Sequence, residues 1–166
     1  NLYEGTNAST NPATCTIEDA VTFANPTKEG FAFGGWYAST TFTSTYRIYS
    51  IPKGTTGAKT LYARWSKNAY NIDYYLNGGT QNSYNCVSYD VETSCELFKP
   101  SRTGYRFDGW FDNSEFEGTA KTSIPEGSTG DKAFYAKWTP VTYTISYILK
   151  DNSTNPVTEN VNPKEY

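Results

Sequence analysis

Histidine and methionine are both absent from these 166 residues. The lack of histidine excludes Ser-His-Asp and Cys-His nucleophilic catalysis, along with every metal site built on imidazole. With no methionine and no signal-like opening, the sequence reads as a piece of a longer chain or a processed product. No apolar run approaches the roughly 20 residues that a membrane-crossing helix needs. Charge of one sign is also scarce. The 17 acidic residues stand against 14 basic ones, for a net charge of −3, so there is no basic footprint for nucleic acid. The three cysteines, Cys15, Cys86 and Cys95, contain no C-x-x-C pair, which argues against a zinc or thioredoxin-type centre.

What the sequence does have is aromatic surface: 15 Tyr, 9 Phe and 4 Trp. Together with abundant threonine this favours strands over helices. It also repeats itself. GFAFGGWY at 30–37 returns as GYRFDGWF at 104–111, and the match extends both ways at a spacing of 74. Leu2, Gly5 and Thr6 answer to Leu76, Gly79 and Thr80, and Phe42 to Phe116. After a one-residue slip, IPKGTTGAKTLYARW (51–65) matches IPEGSTGDKAFYAKW (124–138) at a spacing of 73. Duplication of a whole phrase is the mark of a repeat architecture.

A third copy begins near the C-terminus. In VTYTISYIL (141–149), Tyr143, Ile145, Tyr147 and Leu149 answer to Tyr70, Ile72, Tyr74 and Leu76. Both segments alternate with period two, as half-buried strands do. Three parts follow: residues 1–66, a repeat lacking its first strand; residues 67–140, a complete repeat; and residues 141–166, the first strand of a further repeat plus a tail. Each repeat reads as about four strands, with a polar connection after the aromatic strand that has room for a helical turn. So small a unit has little core. Phe33, Trp36 and Trp65, with Phe107, Trp110 and Trp138, are therefore expected to anchor it.

The run YNIDYYLNGGT, KPSRTGYRFDGWFDNSEFEG and IPEGSTGDKAFYAKW resembles the Listeria–Bacteroides repeat, also called the internalin B-type repeat, over residues 1–149. That resemblance implies an α+β, strand-rich fold: tandem small β-grasp-like modules, each a mixed sheet with a short helix across it. It implies stalks, spacers or adhesive modules of bacterial surface and secreted proteins. It brings no catalytic residue and no cofactor, and places the chain outside the cell. Cysteines are unusual in such repeats, and Asn1-Leu2-Tyr3-Glu4-Gly5 departs from LNGG.

Individual candidates follow. Asp108, Asp112, Glu115 and Glu117 crowd within ten residues, but they lack the calcium-loop spacing and face Gly34, Ala38, Thr41 and Thr43 in the other copy, so a solvated face is expected and no metal. The glycine-rich stretches lack the G-K-[ST] of a phosphate loop. Tyr70, Tyr74, Tyr143 and Tyr147 share the face expected to be buried, with Tyr75 opposite and Tyr84 in a loop. Cys86 and Cys95 flank a short strand and are expected to form a disulfide outside the cell, leaving Cys15 as the odd thiol.

Two functional expectations come from this. The first is a non-catalytic structural module. In its sharper form Val141, Tyr143, Ile145, Tyr147 and Leu149 form a donor strand that completes the first repeat of another copy, building a head-to-tail fibre. The alternative is that the ends only mark where a longer chain was cut. The second is an adhesin module that binds a glycan or host protein through exposed aromatics or the divergent stretches 6–21 and 80–95. Partners are thus other copies or neighbouring repeats, and a host or glycan ligand in the second case, with neither nucleic acid nor membrane insertion in this segment.

Overall fold

The computed structural model describes residues 3–145, 149–150 and 156–157. Its architecture is strand-rich. The first unit holds β1 (Val21–Thr22), β2 (Phe31–Tyr37), β3 (Arg47–Ile48), β4 (Ser50–Ile51) and β5 (Tyr62–Lys67). The second holds β6 (Tyr70–Tyr75), β7 (Ser88–Tyr89), β8 (Cys95–Glu96), β9 (Tyr105–Phe111), β10 (Ser123–Ile124) and β11 (Lys132–Pro140). Beyond them β12 (Leu149–Lys150) pairs with β13 (Pro156–Val157).

The main sheet of the second unit runs β7-β6-β11-β9, with β6 and β11 parallel at its centre and antiparallel pairs on either side. A two-stranded β8-β10 ribbon covers it. In the first unit the sheet is β3-β2-β5, with a β1-β4 ribbon answering to β8-β10. Each aromatic strand pairs antiparallel with the last strand of its own unit: β2 with β5, β9 with β11. Both pairs break register at the same place, between Phe33 and Gly35 and between Lys137 and Trp138. This bulge explains the glycine of the G-W phrase. Gly109 takes φ 141°, and a Cβ there would lie 2.5 Å from that of Ala120, so no larger residue fits.

The core of the second unit gathers Ile72, Tyr89, Cys95, Leu97, Trp110, Ile124, Phe134 and Ala136. Trp110 is its largest fully buried side chain. Phe107 stands edge-on to Trp110 at 5.4 Å and to Trp138 at 5.3 Å, and Phe33 does the same with Trp36 and Trp65 at 5.4 and 5.5 Å. Each such pair adds about 0.5–1.5 kcal/mol beyond area burial. Of the six expected anchors, Trp36 and Trp110 are buried, while Phe33, Trp65, Phe107 and Trp138 are half-buried along the core's edge.

The expected short helix is not there. Among the described residues the helical content is one 3-10 turn, Ser44–Tyr46. In the second unit the connection after β9 is held as a loop. The Asn113 carboxamide accepts from the Glu117 N–H at 2.9 Å and donates to the Glu117 carbonyl at 3.0 Å. Phe116 (φ 59°) and Gly118 (φ 79°) then take left-handed backbone conformations that an α-helix cannot accommodate.

Candidate functional site

The two units differ most where the second contains β6. In that unit Tyr70 and Asn71 pair with Tyr89 and Ser88 on one side. On the other side Ile72 through Tyr75 pair with Lys132 through Tyr135. Ile72 is 6 % exposed, and Tyr74 packs edge-on against Trp110 at 5.1 Å. The counterparts of these flanking residues are Thr14 and Cys15, and Lys59 through Tyr62. No described strand lies between them. A cleft of about 570 Å³ opens there, lined by Thr14, Cys15, Lys59 and Leu61 from its two flanks and by Val21 and Phe23 from its floor.

The packing records this difference. Leu97, Ile124 and Phe134 are buried, whereas Phe23, Ile51 and Leu61 at the same places are half-exposed. Tyr89, which is buried and donates its hydroxyl proton to the Gly130 carbonyl at 2.6 Å, is replaced by exposed Cys15. Trp110 Nε1 donates to the Phe98 carbonyl at 3.1 Å, but the buried Nε1 of Trp36 has no such partner among the described residues. The first unit thus offers an elongated trough with an apolar floor at the place that β6 fills in the second unit, a shape that an extended segment fits.

Comparison with known sequences agrees with this duplicated architecture. The model of the Listeria-Bacteroides repeat domain matches twice, over residues 2–64 and 70–137. The chain belongs to the Listeria–Bacteroides repeat family. It is 33% identical over 137 residues to a putative Gly-rich membrane protein of Evansella cellulosilytica, covering 77% of this chain and 14% of that one. A putative membrane protein of the same organism is 31% identical over 136 residues, 77% of this chain and 19% of its own length. Internalin H of Listeria monocytogenes is 31% identical over 116 residues, 69% of this chain and 20% of its own. The chain therefore spans a fifth or less of the curated relatives it matches. No solved structure matches it. Among the described residues no helix is long and apolar enough to cross a membrane.

The remaining candidates in these Listeria–Bacteroides repeats have separate fates. Cys86 and Cys95 are joined, with Cα atoms 6.2 Å apart, and Cys15 is free and exposed. The four acidic side chains do not converge. Asp108 is taken up by Arg106 and the Thr139 hydroxyl, and Asp112 by Lys121 at 3.1 Å. Glu115 accepts from Ser114 at 2.6 Å. Among the described residues no three His, Cys, Asp or Glu side chains form a metal-holding group. Tyr70 and Tyr74 lie on the inner face with Ile72, as their alternation implied. Burial pushes the Tyr74 hydroxyl up to about 12. Tyr75 faces outward and stacks on Tyr135 at 4.5 Å, and Tyr84 is 78 % exposed. Val141, Tyr143 and Ile145 are exposed and belong to no strand; Tyr147 lies outside the described residues, and Leu149 opens β12.

The sequence reading missed one pair. Asn85, buried, accepts from the Phe98 N–H at 2.7 Å and donates to the Phe98 carbonyl at 3.0 Å. Asn11 makes the same two bonds to Ala24, at 2.7 and 2.9 Å. An asparagine recurring at a spacing of 74 inside otherwise divergent stretches was the available signal.

Proposed function

We propose that this chain is a non-catalytic, extracellular structural segment of a bacterial surface or fibre protein, built from repeats at 1–66 and 67–140. In this reading copies assemble head-to-tail, residues 141–149 of one entering the first repeat of the next. The observation that carries it is the trough between Thr14–Cys15 and Lys59–Tyr62, in the place that β6 fills in the second repeat. The segment 141–149 repeats the Tyr-x-Ile-x-Tyr alternation of β6, and its described side chains are exposed. The mixed sheet with a parallel central pair supports a β-grasp-like description of the complete repeat. The contact is heterologous and need not close on itself, so its repetition can build a fibre. The test is light-scattering mass against concentration for the full chain and for a chain ending at Pro140. Concentration-dependent growth of the full chain alone is the expected result. Equal, monomeric behaviour of both would refute donation.

A second reading, an adhesin module, draws on the disulfide-closed stretch 86–95 and its flank, where Tyr84 and Val87 are 78 % and 77 % exposed. Exposed aromatic and apolar groups on a stapled loop suit glycan or protein contact. A glycan or host-protein screen with no signal above background would remove it.

A further inference from the structure

Tyr3 and Asn77 hold the same turn in the two repeats. Both take left-handed backbone, at φ 46° and 49°. The turn is tied down alike, Thr6 pairing with Thr27 and Thr80 with Ser101. The side chains go to different places. The Tyr3 ring packs in a slot with Phe42 and Tyr62, at centroid distances of 6.3 and 6.4 Å. Glu4, the next residue, reaches Lys28 at 3.9 Å. In the second repeat Asn77 turns back and donates to the Ala136 carbonyl at 2.9 Å, and Gly78 stands where Glu4 does. Ring and carboxylate are both gone.

The slot itself is kept. Phe116 and Tyr135 stand at the places of Phe42 and Tyr62. Phe116 meets Phe111 edge-on at 5.8 Å, as Phe42 meets Tyr37 at 5.4 Å. Tyr135 is held by the stacked Tyr75 ring. A cleft of about 540 Å³ opens beside them, lined also by Arg102 and Lys137 and by no carboxylate. Lys137 Nζ lies 5.7 Å from the Phe116 ring. Arg102, at the place of Lys28, lies over Tyr105 at 3.6 Å. One of its five N–H donors goes to the Asn77 carbonyl at 2.9 Å. A planar guanidinium fork of this kind suits a carboxylate. Seating a neighbouring repeat and filling the slot are separate events. Val91 of the second repeat sits on the Gly30 turn, where a built Cβ would fall 2.6 Å from its own, while the first repeat's slot holds Tyr3.

We propose that the Phe116–Tyr135 slot binds a polypeptide partner through an aromatic side chain followed by an acidic one. The ring takes the place that Tyr3 has in the first repeat, and the carboxylate pairs with Arg102 as Glu4 does with Lys28. Edge-on ring contacts and two cations favour such a ligand over an aliphatic or basic one. The site lies within residues 67–140 and does not depend on head-to-tail assembly.

The test is a nuclear magnetic resonance titration of the full-length chain with N-acetyl-Tyr-Glu-amide and, in parallel, with glucuronic acid. The peptide is expected to shift Phe116, Tyr135 and Lys137 at millimolar concentration. Replacing its Glu by Gln should weaken binding roughly twofold to fivefold, the worth of an exposed ion pair. Asn77→Tyr gives the turn the side chain it already carries in the first repeat, fills the slot and should abolish these shifts. Tyr3→Asn opens the first slot and should add peptide-dependent shifts at Phe42 and Tyr62. Peptide that leaves Phe116 and Tyr135 unmoved, or that binds equally well to Asn77→Tyr, would overturn the proposal. Tighter binding of glucuronic acid than of peptide would also overturn it, by making the slot a site for acidic sugars.

Discussion

Supplying the missing strand is the sharpest perturbation of the first repeat. A chain extended before Asn1 by a copy of residues 69–74, AYNIDY, brings a tethered strand to the trough in the register that β6 keeps with Leu76. The expected gain follows from the second repeat. Ile72 is 6 % exposed, and full burial of an Ile side chain is worth about 1.5–3 kcal/mol. The half-buried Tyr74 ring adds about 1 kcal/mol on the same scale. Four parallel and two antiparallel residue pairs join β6 to its neighbours, and each backbone hydrogen bond is worth a net 0.5–1.5 kcal/mol or so. Against this, fixing six residues costs about 1–2 kcal/mol each. At their central values these terms nearly cancel, and the further burial of the half-exposed Phe23, Ile51 and Leu61 under the added strand tips the balance by roughly 1–3 kcal/mol in favour of the closed repeat. At about 4–8 °C per kcal/mol for a unit of this size, the melting transition of the first repeat rises by roughly 5–20 °C. Calorimetry reads the transition. An unchanged first transition would refute the assignment of the trough as a strand site.

Two further outcomes are expected. Breaking the Cys86–Cys95 bridge with Cys86→Ser opens a loop of sequence separation 9. Chain entropy then predicts a loss of about 2.6 kcal/mol from the second repeat, measured by urea denaturation of the variant, while the unreduced wild type should titrate as one thiol, not three. The Lys67–Asp90 pair gives a pH signature. Hydrogen bonds from Lys67 and then Thr93 hold the Asp90 carboxyl down at about 2 against an ordinary 3.8. A lowered carboxyl stabilises fully above its unfolded value, so this contribution fades as pH falls from about 4 to about 2. Lys67, raised above 10.5 chiefly by Asp90 and then Glu92, loses its share as pH climbs past that raised value. Thermal melts of wild type and Lys67→Ala should therefore converge at both extremes and differ between them; a difference independent of pH would show that the pair is not the cause.

The comparison of sequence with structure is instructive residue by residue. The burial of Trp110 was legible because it rests on an aromatic phrase that recurs at a fixed spacing, whereas the bulge beside Gly109 shows only in the register of β9 against β11. The inner face of β6 was legible from alternation alone, since side-chain direction in a strand has period two. The helix was misplaced because a polar stretch with room for a turn carries no signal of the left-handed backbone at Phe116, nor of the Asn113 clasp. Asn11 and Asn85 were passed over because their partners, Ala24 and Phe98, are reached through the backbone, which a side-chain pattern does not record.

By itself the sequence determined the duplication, the family, the aromatic anchors and the strand-rich class. All of these depend on residue types repeating at fixed intervals along the chain. Only the tertiary structure decided that first and last strands run parallel at the centre of the second repeat, so that removing the first leaves a trough instead of a trimmed edge. It alone seated Val91 on the Gly30 turn. The physical reason is that Gly30 and Val91 lie about 60 residues apart in sequence, and no local periodicity couples positions so distant. Their match is one of shape, between a branched side chain and the absence of one, and shape is defined only once both backbones are in place.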